Sequence, residues 1–229
     1  MIGLLGGSFD PVHLGHGHLA KTLLESFPFS SLYWVPSRQN PLKPNAPIAT
    51  DSERFEMLQI AARSVNDSRL EVLDWELKRA APSYSIDTIR FAQTTFQSTP
   101  YFILGNEVFS ELAQWKEPQA ILNLSHLIIV KRHEGMTNLE EILIKLESPD
   151  YVKTNTEYSA ERWHNTRTDK SIYIVDIKAL PYSATHIRNT VSKCWDNQTL
   201  DVTPDGLDKC VWHFIKEKRI YGRKTVSRH

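Results

Sequence analysis

The chain has no excess of charge: 27 Lys plus Arg balance 27 Asp plus Glu among 229 residues. A general nucleic-acid or membrane-surface binder shows a basic surplus, so this balance argues against both, while leaving room for a local positive pocket. Cysteine is scarce. Cys194 and Cys210 have the spacing of neither a disulfide framework nor a metal site. No stretch approaches the ~18 apolar residues of a membrane span, and no basic segment leads into an apolar leader. These absences predict a soluble, cytoplasmic protein with reduced thiols. Repeats and low-complexity segments are lacking too. So are two nucleotide fingerprints. There is no GxxxxGK[ST], and Gly3, Gly6 and Gly7 do not form GxGxxG.

What is present is an apolar fraction of 41%, enough for a real core. We expect a single domain over 1–229, with a small helical C-terminal part at about 181–221. The chain opens on Ile2 to Leu5, an apolar run of the kind found in buried parallel strands. Gly6, Gly7 and a turn closed by Asp10-Pro11 follow. A helix then covers 16–26, with Leu19, Ala20, Leu23 and Leu24 on one face. Strand, glycine turn and helix start together form an anion site, because glycine lets backbone approach a ligand and first-turn N–H groups favour negative charge. His13 and His16 stand at its mouth. As residue types they suit phosphate contact, metal ligation or plain turn structure.

Further strands are expected at 31–35, 70–73, 101–104, 126–132 and 172–175. Helices are expected at 50–65, 86–96, 118–122, 137–146, 181–188 and 204–217. Thr50 with Glu53, and Thr137 with Glu140, fit capping boxes. Residues 37–47 are a proline-rich loop carrying Arg38, Asn40 and Lys43. Residues 148–170 read as a long polar surface loop. On the helix expected at 50–65, Phe55, Leu58, Ala62 and Val65 are the inward face. Strands alternating with helices imply an α/β, Rossmann-like, doubly wound and mostly parallel sheet with helices on both faces. Right-handed crossovers then bring the loops after Leu5, Val35, Leu73, Leu104 and Val175 to one crevice. Gathered there are the glycines and histidines of the opening, Lys43, Tyr84 and Ser85, Glu107 and Trp115, and Ser183, Thr185 and Arg188. Hydroxyls, cations and backbone N–H groups are what a polyphosphate requires.

At this point the chain resembles a known family. Gly6-Gly-Ser-Phe-Asp-Pro-Val-His-Leu-Gly-His16 is similar to the first signature of the nucleotidyltransferase superfamily, and Tyr182-Ser-Ala-Thr-His-Ile-Arg188 to its second. Pro82-Ser-Tyr-Ser-Ile-Asp-Thr88, Ile103-Leu-Gly-Asn-Glu107 with Trp115, and the loop from Val35 to Lys43 resemble segments of the nicotinate-nucleotide adenylyltransferases. The resemblance implies transfer of AMP from ATP to nicotinate mononucleotide, giving deamido-NAD and pyrophosphate by direct attack, with Mg²⁺ carried on the ATP phosphates. It implies that His13, His16 and Arg188 are catalytic. Gly6, Gly7, Ser8, Phe9, His16, Gly105, Ser183, Thr185 and Arg188 would bind ATP. Lys43, Tyr84, Ser85, Glu107, Trp115 and Arg132 would bind the mononucleotide. No protein-held metal is implied: Asp10 sits in a Pro-closed turn that its side chain orders, and His18 should face away from His16.

The chain departs from the family pattern at several positions. Glu107 replaces Asp, Leu42 replaces a frequent His, Ser85 replaces Thr, and Ala80-Ala81 stands before Pro82. Two other readings are carried. One is a superfamily relative with a nicotinamide mononucleotide or phosphopantetheine acceptor. The other is a nucleotide-binding regulator without catalysis. A homodimer is compatible with the sequence, which does not set the oligomeric state.

Overall fold

The computed structural model describes residues 1–43, 45–131 and 139–222. Among these, eight strands form one sheet in the order β3-β2-β1-β4-β5-β8-β7-β6. The parallel strands are β1 (Ile2–Gly7), β2 (Ser31–Pro36), β3 (Leu70–Val72), β4 (Tyr101–Gly105), β5 (His126–Lys131) and β8 (Ser171–Asp176). The topological switch falls between β1 and β4, whose neighbours lead away in opposite directions. Ligands of open α/β sheets bind outside the strand C-termini at such a point.

The helices are α1 (Leu14–Ser26), α2 (Asp51–Val65), α3 (Ser85–Phe96), α4 (Asn106–Ser110), α5 (Pro118–Leu124), α6 (Leu139–Lys145), α7 (Ala184–Asp196) and α8 (Lys209–Lys218). Their apolar faces split the core in two. Successive strand residues point to opposite faces, so Leu5, Ile103 and Ile128 join one cluster while Leu4, Phe102 and Ile129 join the other. The first cluster is covered by α1, α2, α7 and α8, through residues such as Leu23, Leu58, Ile187 and Trp212. The second is covered by α3, α5 and α6, through Ile89, Ile121 and Ile142.

Three expectations are corrected. Residues 148–170 are not a structureless loop. They hold β6 (Tyr151–Thr154) and β7 (Glu161–Asn165), a hairpin that extends the sheet antiparallel from β8. Its strands are short and only Tyr151 and Asn165 are buried, so the apolar alternation that marks a strand is absent. The turn after Pro181 opens a helix of 13 residues, longer than expected. On α2 the buried stripe is Arg54, Met57, Leu58 and Ala61, one step from the stripe of Phe55 and Ala62. A buried arginine sets that phase, and a hydrophobicity pattern scores arginine as solvent. The Thr50–Glu53 capping box is formed, with Glu53 N to Thr50 Oγ1 at 3.2 Å and Thr50 N to Glu53 Oε2 at 2.8 Å. Thr137 lies outside the described residues.

Candidate active site

The opening turn is held from several sides. Phe9 takes φ of 47°, a left-handed conformation unusual for a bulky residue. Its ring lies under Gly7, where a Cβ would come 3.1 Å from the ring, so a larger residue there would press on Phe9. Asp10 is buried, and its carboxylate accepts from Ile48 N at 2.8 Å, Ala49 N at 3.1 Å and Tyr221 OH at 2.7 Å. These partners are 38, 39 and 211 residues away, so the side chain ties the turn to the segment before α2 and to the end of the described chain rather than closing the turn on itself. Arg54, 0% exposed, donates to the carbonyls of Ser8 at 2.8 Å and Ser37 at 2.7 Å, and to Asp51 Oδ1 at 2.6 Å. One guanidinium thus ties the loop after β1 to the loop after β2. The 3–4 spacing with Met57, Leu58 and Ala61 is the signal that could have revealed it.

His13 caps α1 in extended conformation. Its ring lies over Gly15, where a Cβ would meet the imidazole at 3.0 Å. The His13 and His16 rings lie 3.8 Å apart between centroids, tilted by 37°. His16 Nδ1 accepts from the His13 backbone N–H at 3.2 Å. In the neutral ring that bond puts the proton on Nε2, which makes Nε2 the donor.

The second signature comes to the same place. Ser183 caps α7, its Oγ accepting from His186 N at 3.2 Å. Arg188 donates from Nη2 to Thr185 Oγ1 at 3.1 Å and from Nη1 to the Asp10 carbonyl at 2.6 Å. Leu14 N, in the first turn of α1, donates to Gly206 O at 2.8 Å. The N-termini of α1 and α7 therefore flank one edge, with their donors and dipoles favouring anions. His18 does not face away as expected. It lines a small cavity of about 30 Å³ with His13, His16 and Tyr182, its Nε2 lying 3.1 Å from Lys178 O. Among the described residues no group of three or more His, Cys, Asp or Glu is placed to hold a metal ion.

Beside this edge opens a larger cavity of about 280 Å³, running from Gly6, Gly7 and Ser8 past Lys43 to Tyr84, Ser85 and Trp115. Lys43 Nζ donates to Ser8 Oγ at 3.2 Å. Tyr84 and Ser85 sit at the N-terminus of α3. Two lining residues were not read from the sequence. Lys116 Nζ lies 4.5 Å from the centroid of the Tyr84 ring and 3.7 Å from Asp87 Oδ1. Asp87 is shared with Arg79 at 3.5 Å, so two cations face one carboxylate. Glu76, from a single 3-10 turn, is buried and accepts from Thr88 Oγ1. Burial pushes its carboxyl above the usual range, against hydrogen bonds from Thr88 and Ser83 that pull it down. Neither residue belongs to a spacing pattern, and only the fold brings them to the cavity.

Not every candidate converges. Glu107 is exposed in the first turn of α4 and lies off the cavity wall, while its neighbour Asn106 is buried. Gly105 caps α4 at the end of β4. Arg38 is engaged in the loop, donating to Arg79 O and pairing with Asp51 at 3.4 Å. Arg132 lies outside the described residues.

Comparison with known proteins agrees with this geometry. The cytidylyltransferase-like family model matches residues 4–190. A probable nicotinate-nucleotide adenylyltransferase of Rhodopirellula baltica is 39% identical over 57% of this chain and 61% of its own length. One of Dictyoglomus turgidum is 34% identical over 84% of each chain. The Plasmodium falciparum nicotinic acid mononucleotide adenylyltransferase solved with NaAD superposes with a TM-score of 0.69 over 96% of each chain, at 19% identity, a likeness of fold. By the match over most of its length and the identity to relatives of similar size, the chain belongs to the cytidylyltransferase-like family and, within it, to the nicotinate-nucleotide adenylyltransferases.

Proposed function

We propose that this protein joins nicotinate mononucleotide to the AMP part of ATP, forming nicotinate adenine dinucleotide and pyrophosphate for NAD biosynthesis. The observation that carries the reading is a contact. The two signature turns meet through Arg188 and the Asp10 carbonyl, 178 residues apart in sequence. The cavity holding Tyr84, Ser85 and Trp115 opens beside them. A triphosphate at the helix N-termini then points its α-phosphorus toward a mononucleotide in the cavity.

The mononucleotide phosphate is largely dianionic near neutral pH. It attacks the α-phosphorus in line; the new P–O bond forms as the bond to pyrophosphate breaks. No base and no protein nucleophile is needed, so the chain's task is positioning and charge stabilisation. His16 donates from Nε2 to the transferring phosphoryl group, and His13 stands beside it. Ser183, Thr185 and Arg188 hold the leaving phosphates at the start of α7. Gly6, Gly7, Ser8 and Phe9 provide the close backbone. Lys43 neutralises acceptor phosphate. Trp115 stacks on the pyridine ring, and the α3 N-terminus at Tyr84 and Ser85 receives its carboxylate.

The donor set here is imidazole, hydroxyl, cation and backbone N–H. The nearby carboxylate of Asp10 is already taken up by Ile48, Ala49 and Tyr221. Such a set fits Mg²⁺ carried by ATP rather than held by protein, and the ion would offset charge on the phosphates. We read the chain as one nucleotidyltransferase domain, since α7 and α8 pack into the same cluster as α1 and α2. Among the described residues no helix is long and apolar enough to cross a membrane. Cys194 and Cys210 are free thiols, which suits our placement of the reaction in the cytoplasm.

The test is pyrophosphate release from Mg-ATP with either nicotinate or nicotinamide mononucleotide. The acid should be used at least tenfold better in kcat/KM. Preference for the amide would overturn the acceptor assignment. ATP binding without turnover on any acceptor would overturn the catalytic one.

A further inference from the structure

Tyr221 lies at the far end of the described chain, outside both signatures. It is nevertheless buried, at 7% exposure, against the opening turn. Its hydroxyl donates to Asp10 Oδ1 at 2.7 Å. Ile48 N and Ala49 N complete the set around that carboxylate. Burial and the neighbouring Asp10 charge push the Tyr221 phenol far above its ordinary range, so it stays a donor. The backbone of Asp10 is equally committed. Its carbonyl accepts from Arg188 Nη1 at 2.6 Å, and the same nitrogen is 4.0 Å from Asp10 Oδ2. The turn on which this depends is stiff, bracketed by the left-handed Phe9 and by Pro11.

We propose that Tyr221 is a positioning residue for the transfer reaction: through Asp10 it sets where Arg188 presents its guanidinium to the ATP phosphates. A guanidinium carries five N–H donors. The bonds to Asp10 and Thr185 use one hydrogen on each terminal nitrogen, and they fix the plane in which the remaining donors lie. If the hydroxyl is lost, a buried carboxylate lacks one of its three donors. Asp10 then shifts to satisfy itself, and the Arg188 anchor shifts with it. Tyr221 thus acts on the ATP side, where Arg188 lies, rather than on the far wall of the acceptor cavity, since Tyr84 and Trp115 belong to other elements.

This inference rests on the proposed role of Arg188, so the experiment crosses the two residues. Tyr221→Phe, Arg188→Ala and the double variant of the full chain are compared in steady-state kinetics with Mg-ATP and nicotinate mononucleotide. Tyr221→Phe should lower kcat/KM for ATP about tenfold, the scale of one hydrogen bond to a charged group. The KM for the mononucleotide should stay within about twofold. In the Arg188→Ala background the same change should cost less than about twofold, because the group it acts through is gone. An equal loss in both backgrounds overturns the proposal and leaves Tyr221 a structural residue; so does no loss at all. If Arg188→Ala alone leaves ATP kinetics unchanged, the ATP-side reading has failed and this inference falls with it. Should Tyr221→Phe not fold, Asp10→Asn replaces it in the same cycle, with the same expected dependence on Arg188 and the same refuting result.

Discussion

Replacing Arg54 by Met should destabilise the protein by about 3–5 kcal/mol. The figure follows from what the side chain touches. Met keeps most of the volume and fills the place between Met57 and Leu58. It cannot donate. The carbonyls of Ser8 and Ser37 then lose charge-assisted bonds now at 2.8 and 2.7 Å. Each such bond contributes about 1.5–3 kcal/mol. Asp51 loses this bond too, but it keeps Arg38 at 3.4 Å and its side chain is 37% exposed to water, so that part costs little. For a chain of this size about 2–4 °C accompanies each kcal/mol, so Tm should fall by about 6–20 °C. Arg54→Lys should recover only part of this, since one ammonium on a shorter side chain cannot keep both carbonyl bonds of Nη1 together with the Nη2 bond to Asp51. Because Ser8 sits in the opening turn, the ATP KM should rise in both variants. Thermal unfolding with steady-state kinetics reads both effects. A loss below about 1 kcal/mol for Arg54→Met would refute the reasoning and show that the two carbonyls find other donors.

His16→Ala should lower kcat by an amount equivalent to about 2–4 kcal/mol while sparing mononucleotide binding, and an unchanged kcat in the pyrophosphate assay would refute its role. Trp115→Ala should chiefly raise the mononucleotide KM, because stacking contributes equally to ground and transition states; a kcat loss with unchanged KM would contradict this. His126 gives a pH prediction. Burial, helped by the charge of Lys170, holds its pKa down to about 4. The ring is neutral in the fold, with Nδ1 accepting from Ser171 N at 3.0 Å, whereas in the unfolded chain it protonates near 6.5. The unfolded state thus binds more protons between those values. Stability should fall as pH drops from about 6.5 to about 4, by at most roughly 3 kcal/mol and by less because the ring is only partly buried. Thermal unfolding at pH 7 and pH 4.5 should show a smaller drop for His126→Gln than for the parent, and parallel drops would refute the assignment.

The sequence by itself determined the alternation of strands and helices, the Thr50–Glu53 cap, and the two signature turns. Each is local: a run of apolar residues, a capping pair or a glycine turn is specified by neighbours a few positions apart. The Rossmann-like class followed, because parallel strands joined by helices have few ways to pack. Gly7 and Gly15 show why these turns are legible, since each makes room for a ring two positions away. Tertiary structure alone decided the rest. The hairpin of β6 and β7 has no alternating pattern, because pairing with β8 rather than side-chain burial defines it. Arg54 carries a charge that hydrophobicity alone does not place inside the protein; the carbonyls of Ser8 and Ser37, brought within reach by the fold, satisfy it there. Glu76 and Lys116 reach the acceptor cavity only through the packing of α3 and the segments around it, and Glu107, placed by motif, stays exposed outside it. The joining of Asp10, Arg188 and Tyr221 spans nearly the whole chain, and no local rule encodes a contact between residues that distant. The signatures identify the chemistry because reacting phosphates demand particular residue types, whereas the supports that aim those residues are fixed by burial and hydrogen-bond satisfaction, which exist only once the sheet has closed the chain on itself.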